Sequence, residues 1–352
     1  MAITVGVIGC GNISRFHFQG LAAAQVRVAW VCDLNPVASA PYAARFGAQA
    51  TTDWQKVISD PTVDAVVITT ISRVHQPICL AAIAAGKAVI CEKTLAENPD
   101  DALAIVQAAE RAGTLFWTSY MKRFSPAFAK AKELLPALGR IQSTHIRAYQ
   151  DWGDLWDAMP AEGFFHKPAG GASPIVRNYG GGILVCGGSH ILDLVNFFHG
   201  RPTKLYASLY EPAGRDYDLQ AAALLETAHG PVHYEALAHS LRHTGFLGDG
   251  WDEQVEIIGS KGKLQVLSAK WDEPELKSSL LIHEDAASGT RTQHHFPCVS
   301  PFTLALQHFC ACIAAREQGP QPRTTGYDVD ELIAHIQCSG REGRALTIAY
   351  RC

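Results

Sequence analysis

A lysine and a histidine in distant parts of the sequence are the side chains of this chain best suited to acid–base chemistry. Lys93 follows Glu92 directly after the apolar run 88–91, and a charged pair at the end of a buried strand is costly unless it is used or solvated. His190 and Asp193 are three residues apart on a predicted helix and therefore share one face. Histidine can accept a hydroxyl proton near neutral pH, and partial burial adapts a lysine to acid–base use. Taken alone, each pattern is also compatible with a structural role, as a surface ion pair or a core histidine.

A glycine turn near the start of the chain predicts a dinucleotide site. The apolar run 3–8 reads as a buried strand that leads into Gly9 and Gly11, and a second apolar run, 26–32, ends at Asp33. Strand, glycine turn, helix and a later acidic residue are typical of a nucleotide-binding βαβ unit, whose helix directs its N-terminus at the pyrophosphate. The residues expected to contact the cofactor here are Gly9, Gly11, Asn12, Ile13 and Asp33.

The choice of cofactor is predicted from Asp33. A carboxylate beside the ribose 2′-hydroxyl favours NAD and repels the 2′-phosphate of NADP, and no arginine follows within Leu34–Pro36. Ser14 stands where the motif has its third glycine, which is a small departure because serine is also compact. The alternative is an ordinary strand–helix turn without a ligand.

The order of predicted elements indicates two domains. Residues 1–124 alternate strand and helix patterns, which predicts a Rossmann domain with a doubly wound parallel sheet. Residues 125–352 carry runs of strands with hairpin spacing, which predicts an α+β domain with a mostly antiparallel open sheet and helices on one face. Ligands bind beyond the carboxyl ends of parallel strands, so further cofactor contacts are expected from Thr69, Thr70, His75, Glu92 and Lys93.

Composition excludes several classes of function. The 352 residues carry a formal net charge of −4 and no basic block with interleaved aromatics, so nucleic acid is not an expected partner. The ten cysteines are scattered without a C-x-x-C pair, and the chain starts in a strand pattern without a signal sequence, so a cytoplasmic protein is expected. No apolar run is long enough to span a membrane. No metal site is expected, because His294 and His295 are adjacent in a predicted strand and their side chains diverge.

The stretch 151–182 has little regular pattern, and long irregular loops in compact enzymes are usually functional. Its aromatic and polar residues suit a carbohydrate, although they are equally able to fasten the loop to the core or to another subunit. The side chains singled out for substrate contact are Tyr120, Arg123, Trp152, His166 and Arg177.

Taken together, these motifs resemble the glucose–fructose oxidoreductase / inositol dehydrogenase family (Gfo/Idh/MocA). The resemblance spans nearly the whole chain in the right order. It is carried by Gly9-Cys10-Gly11-Asn12-Ile13 with His17, by Ala85-Gly86-Lys87-Ala88-Val89-Ile90-Cys91-Glu92-Lys93, by Met121-Lys122-Arg123-Phe124-Ser125-Pro126 and by Ser189-His190-Ile191-Leu192-Asp193.

The resemblance implies an N-terminal Rossmann domain that binds NAD or NADP. It also implies a C-terminal open sheet that in many members supplies an oligomer interface, here of a dimer or tetramer. Lys93 corresponds to the family's catalytic lysine and His190 to its proton-transferring histidine. Typical substrates are sugars, cyclitols and their derivatives.

Two departures from the family pattern concern the site. Thr94 replaces the proline after the lysine, which is expected to leave Lys93 looser or differently aimed. Cys186 replaces an aspartate four residues before the histidine, so Cys186 and Asp193 are the expected substrate contacts there. The expected activity is NAD-dependent hydride transfer at a secondary hydroxyl of a sugar, glycoside or cyclitol. The alternatives are redox-assisted glycoside cleavage and a non-catalytic sensor of the same fold.

Overall fold

In the computed structural model, which describes residues 3–154, 182–215 and 217–352, the chain forms two units. The first comprises Met1–Met121, Phe302–Asp330 and Arg351–Cys352, and the second comprises Lys122–Pro301 and Glu331–Tyr350.

The first unit is built on six parallel strands in the order β3-β2-β1-β4-β5-β6. The strands are β1 Thr4–Ile8, β2 Arg27–Cys32, β3 Gln49–Thr51, β4 Ala65–Ile68, β5 Ala88–Cys91 and β6 Phe116–Thr118. Strands β1, β4 and β5 are wholly buried, as expected for a parallel sheet covered on both faces. The order reverses between β1 and β4, and ligands of such sheets bind beyond the strand ends at this reversal.

Helices follow the strands of the first sheet. They are α1 Ser14–Ala23, α2 Pro36–Phe46, α3 Trp54–Ser59, α4 His75–Ala84 and α5 Pro99–Ala112. Local sequence explains their ends: Asn35 and Asn98 accept hydrogen bonds from the first turns of α2 and α5, and Gly113 ends α5 in a left-handed conformation.

The second unit contains a nine-stranded sheet in the order β14-β13-β12-β11-β7-β10-β9-β8-β15. Its strands are β7 Ile141–Gln150, β8 Lys204–Tyr210, β9 Gln220–Thr227, β10 Gly230–Ala238, β11 Asp252–Gly259, β12 Gly262–Ser268, β13 Leu280–Asp285, β14 Thr290–His295 and β15 Leu346–Thr347. Every neighbouring pair is antiparallel except β7 and β10, which are parallel. The predicted fold class is therefore confirmed in both parts.

The later helices are α6 Pro126–Leu134, α7 Ser189–His199, α8 Pro301–Ala315 and α9 Thr325–Glu342. Short 3-10 turns lie at Ser72–Val74, Met121–Phe124 and Leu135–Leu138, and a π-helical turn lies at Leu184–Gly188. Helix α7 packs against β7 and β10. Within the described ranges, no helix combines the length and the apolarity needed to cross a membrane.

Helix α8 explains why the two units differ from the predicted division at residue 124. Phe302 stacks on Phe16 at 5.1 Å between ring centroids, and Phe309 stacks on Trp117 at 5.3 Å. These aromatic contacts join residues 302–330 to the first unit, whereas the sequence-based division assigned them to the second. The apolar face of α8 is visible in the sequence, but its partner is not.

Candidate active site

The turn after β1 requires glycine at its first position. Gly9 has a φ of +102°, and a Cβ added there would lie 2.7 Å from the carbonyl carbon of Thr69. The Thr69 hydroxyl donates a hydrogen bond of 2.7 Å to the Gly9 carbonyl. Thr69, predicted to contact the cofactor, thus fastens the glycine turn to the end of β4.

Gly11 borders open space. Its backbone is outside the left-handed region, and a Cβ added to it would meet no atom within 4 Å. The residue adjoins the first turn of α1, where the Ser14 amide donates to the Gly11 carbonyl at 3.0 Å. Open space beside a helix N-terminus fits the pyrophosphate of a dinucleotide. Asn12 and Ile13 complete this turn, and their contact with the cofactor stays a prediction.

Two backbone amides hold the Asp33 carboxylate in place after the end of β2. One carboxylate oxygen accepts from the Cys10 amide at 2.7 Å, and the other accepts from the Asn35 amide at 2.7 Å. Each oxygen keeps a further lone pair for another donor. The carboxylate is therefore fixed beside the glycine turn, and it fits the ribose hydroxyls of NAD.

Lys93 stands in a turn anchored by buried side chains. Glu92 is almost wholly buried, and one of its oxygens lies 2.7 Å from Nε2 of the fully buried His17. The other oxygen accepts from the Lys93 amide at 3.0 Å. Burial alone would raise the pKa of Glu92, but its interactions with His17 and with Lys93 outweigh burial and hold that pKa below its ordinary value. Glu92 therefore serves as a buried anion that fixes the lysine turn.

A second set of contacts fastens the other side of this turn. The peptide bond between Lys93 and Thr94 is cis, and the Thr94 hydroxyl lies 3.1 Å from the Ser72 hydroxyl. Nδ1 of His75 lies 3.1 Å from the carbonyls of Thr94 and Leu95. Thr94 is buried by these contacts, so the turn is anchored despite the missing proline.

His75 is a buried contact between two loops of the first unit. The side chain is completely buried, and its Nε2 lies 3.1 Å from the Thr70 carbonyl. Burial lowers the pKa of His75, against the opposing effect of these carbonyls. The imidazole therefore braces two loops at the carboxyl ends of β4 and β5, and its contact with a cofactor stays a prediction.

In the second unit, His190 lies at the start of α7, directly after the π-helical turn that contains Cys186. The amide of Leu184 donates to the Asp218 carboxylate at 2.9 Å, and that of Ile183 donates to the Asp218 carbonyl at 2.9 Å. Asp218 thus anchors the turn that leads to His190.

The glycines of this turn permit close packing on the second sheet. A Cβ at Gly187 would lie 2.1 Å from the Gln150 amide oxygen, and one at Gly188 would lie 2.3 Å from the Tyr234 hydroxyl. Gly187 and Gly188 therefore permit a close approach between the turn and the strands β7 and β10.

The residues predicted to contact the substrate lie in different surroundings. Arg123 and Asp193 bind each other through two hydrogen bonds of 2.7 and 2.6 Å. Tyr120 is fully buried, and Trp152 packs edge-on against Trp251 at 5.8 Å. His166 and Arg177 lie outside the described residues. Among the described residues, no group of three or more metal-ligating side chains is found.

Lys93 belongs to the first unit and His190 to the second, so their meeting at one substrate stays a prediction. Two anchors were not predicted, namely the pairing of His17 with Glu92 and the role of Asp218. A signal for the first existed, because His17 lies between Phe16 and Phe18 and one turn before Leu21 on helix α1. A polar side chain buried there needs a partner.

Comparison with known proteins agrees with this geometry in both parts of the chain. Residues 3–120 match the profile described as an oxidoreductase family with an NAD-binding Rossmann fold, GFO_IDH_MocA. Residues 128–265 match the profile of a GFO/IDH/MocA C-terminal domain. The chain belongs to the Gfo/Idh/MocA family.

Relatives in this family show what the chain is similar to. Inositol 2-dehydrogenase 2 of Saccharopolyspora erythraea is 29% identical over 279 residues, which cover 76% of this chain and 74% of that protein. Levoglucosan dehydrogenase of Pseudarthrobacter phenanthrenivorans is 30% identical over 220 residues, which cover 59% of this chain and 54% of that protein. A solved levoglucosan dehydrogenase in complex with NADH and levoglucosan has a TM-score of 0.82 at 21% identity, with 99% of this chain and 100% of that chain covered. At that identity the likeness concerns the fold.

Proposed function

We propose that this Gfo/Idh/MocA protein is an NAD-dependent dehydrogenase that oxidises a secondary hydroxyl of a sugar, glycoside or cyclitol. The observation that carries the proposal is the Asp33 carboxylate, held by the amides of Cys10 and Asn35 beside the open Gly11 turn. It supports binding of an unphosphorylated adenosine ribose. Lys93 follows β5 at the carboxyl edge of the same sheet, where ligands of this fold bind.

The residues of this chain would divide the reaction as follows. NAD, when bound, supplies the acceptor for the hydride. His190 takes the proton of the substrate hydroxyl, and the ammonium of Lys93 stabilises the negative charge that develops on the oxygen. The names of the relatives, which refer to inositol and levoglucosan, support a substrate with a polyhydroxylated ring.

We also propose that the protein forms a homo-oligomer through the exposed face of its second sheet. Tyr206 on β8 is 51% exposed and pairs in register with Leu224 on β9, which is 43% exposed, and Tyr210 is 58% exposed. Large apolar groups clustered on a sheet face support association between copies. Leu224→Glu should lower the mass measured by sedimentation equilibrium, whereas Lys56→Glu on the exposed part of α3 should not.

The experiment that tests the enzymatic proposal is a substrate screen that follows NADH fluorescence over cyclitols, aldoses, anhydrosugars and glycosides, repeated with NADP. Turnover with NAD on one ring class supports the proposal. Release of a glycoside leaving group without net NADH would instead indicate redox-assisted cleavage. Tight NADH binding without turnover of any compound would indicate a sensor and would contradict the proposal.

A further inference from the structure

His17 and Glu92 form a buried hydrogen-bonded pair inside the first unit. His17 is wholly buried, Glu92 is 4% exposed, and Nε2 and the carboxylate oxygen are 2.7 Å apart. The ring of Phe302 meets the imidazole edge-on at 5.7 Å, and Nδ1 of His17 has no hydrogen-bond partner among the described residues. The imidazole therefore directs its one hydrogen bond at Glu92.

The pair connects helix α1, which adjoins the proposed cofactor site, to the end of strand β5, which precedes Lys93. His17 lies in the first turn of α1, the helix that begins at Ser14 after the Gly9–Ile13 turn. Glu92 ends β5, and its second oxygen accepts from the Lys93 amide at 3.0 Å. A fixed chain of contacts thus runs from the phosphate-binding helix to the backbone of the lysine.

We propose that His17 and Glu92 are positioning residues for Lys93 and do not contact the cofactor themselves, an inference that rests on the proposed function. A buried carboxylate needs a partner to remain charged, and His17 supplies it. The carboxylate in turn fixes the Lys93 amide, which is bonded to the Cα that carries the side chain. Groups of this kind set the geometry of a reacting side chain, and small misplacements reduce turnover strongly.

The test uses the full-length protein labelled with 15N-lysine, in which the Lys93 amide signal is identified by its loss in Lys93→Arg. In His17→Leu and Glu92→Leu this signal should shift and its amide should exchange faster with solvent, while the other lysine signals stay in place. His17→Gln, whose amide can still donate to Glu92, should keep the signal near its original position.

The matched control is Lys87→Met at the opposite end of β5. The Lys87 ammonium is buried and donates to the carbonyls of Asp60 and Val63 at 2.8 and 2.7 Å, so its loss destabilises the same strand without touching Lys93. This variant should lower the melting temperature and leave the Lys93 signal and the turnover of the folded protein unchanged.

Kinetics supply the second readout. His17→Leu and Glu92→Leu should each lower kcat by about 100-fold. The double variant should have a kcat no lower than that of either single variant, because the pair acts as a unit. In all three variants the Kd for NADH should change by less than about three-fold. An unmoved Lys93 signal in His17→Leu, or a Kd for NADH that rises in step with the fall in kcat, would overturn the proposal.

The proposal stays testable if one variant does not fold or if no substrate is found. If His17→Leu does not fold, His17→Asn, whose shorter amide does not reach Glu92, carries the same measurement. If the wild-type protein turns over no sugar or cyclitol, the proposed function fails, and the Lys93 amide signal still decides whether the pair positions the lysine.

Discussion

Arg123 and Asp193 bind each other through two hydrogen bonds, from Nε to Oδ2 at 2.7 Å and from Nη2 to Oδ1 at 2.6 Å. Asp193 is wholly buried and the Arg123 side chain is 11% exposed. Arg123 precedes α6 and Asp193 lies on α7, one turn beyond His190. Both were predicted to contact the substrate. They bind each other, so their charges fix the helix that carries His190, and a contact of either residue with a substrate stays a prediction.

Loss of one member of this pair should be costly, because it leaves a buried charge without a partner. We expect Arg123→Leu to lower the free energy of unfolding by about 3 kcal/mol or more, measured by urea denaturation. The exposed Lys130–Glu133 pair on α6 serves as the control, and Lys130→Ala should cost less than about 1 kcal/mol. The double variant Arg123→Leu/Asp193→Leu should regain part of the loss. Equal costs for Arg123→Leu and Lys130→Ala would contradict this account.

The open space at Gly11 leads to a prediction about cofactor binding. Gly11→Val should change the free energy of unfolding by only about 0.5 kcal/mol, because a Cβ at this position meets no atom within 4 Å. The same side chain fills the space assigned to the pyrophosphate, so the Kd for NADH, measured by fluorescence titration, should rise at least about ten-fold. Gly9→Ala is the contrasting variant and should impair folding, because its Cβ collides with Thr69. Unchanged NADH binding in Gly11→Val would place the pyrophosphate elsewhere.

Asp33 should determine the preference between the two dinucleotides. Asp33→Ser removes the carboxylate that would accept from the ribose hydroxyls and repel a 2′-phosphate. We expect the Kd for NADH to rise about ten-fold and the Kd for NADPH to fall, both followed by fluorescence. Asp53→Ser, which removes a carboxylate that accepts from the Gln55 amide at the start of α3, should leave the ratio of the two constants unchanged. An unchanged ratio in Asp33→Ser would exclude the residue from ribose recognition.

The buried carboxyl of Asp218 should make the free energy of unfolding depend on pH. Burial raises the pKa of its carboxyl from an ordinary 3.8 to about 8, although the Leu184 amide donates to it. Between these two values the folded state binds more protons than the unfolded chain, so the stability supplied by this group falls as the pH rises. Asp218→Asn keeps an oxygen for Leu184 and cannot ionise. Urea unfolding from about pH 5 to about pH 8 should therefore show the variant gaining stability relative to the wild type as the pH rises. Parallel curves would contradict the raised pKa.

The predictable parts of the site are those whose signal is local. The Gly9–Ile13 turn, Asp33 after β2 and Lys93 after β5 were found because each follows its strand directly in the sequence. The pairing of His17 with Glu92 joins positions 75 residues apart, and nothing in either local pattern indicates the other. The anchoring of Thr94 through Ser72 and His75 was missed for the same reason. The sequence indicated which residues are chemically capable, and long-range packing decided which of them are used to hold others in place.

Lys93 carries the last prediction, which concerns the reaction itself. Lys93→Met keeps most of the aliphatic stem of the side chain and removes the ammonium that would stabilise the alkoxide. We expect kcat to fall by at least about 100-fold, the scale of one lost oxyanion donor, while the Kd for NADH stays within about three-fold of the wild-type value. The Glu92 side chain fastens the turn through the Lys93 amide, and the substitution leaves that amide in place. Lys122→Met is an unsuitable control, because that ammonium is buried against Glu253. Lys56→Met on the exposed part of α3 should be silent in both measurements. Wild-type turnover by Lys93→Met, on a confirmed substrate, would remove this residue from the mechanism.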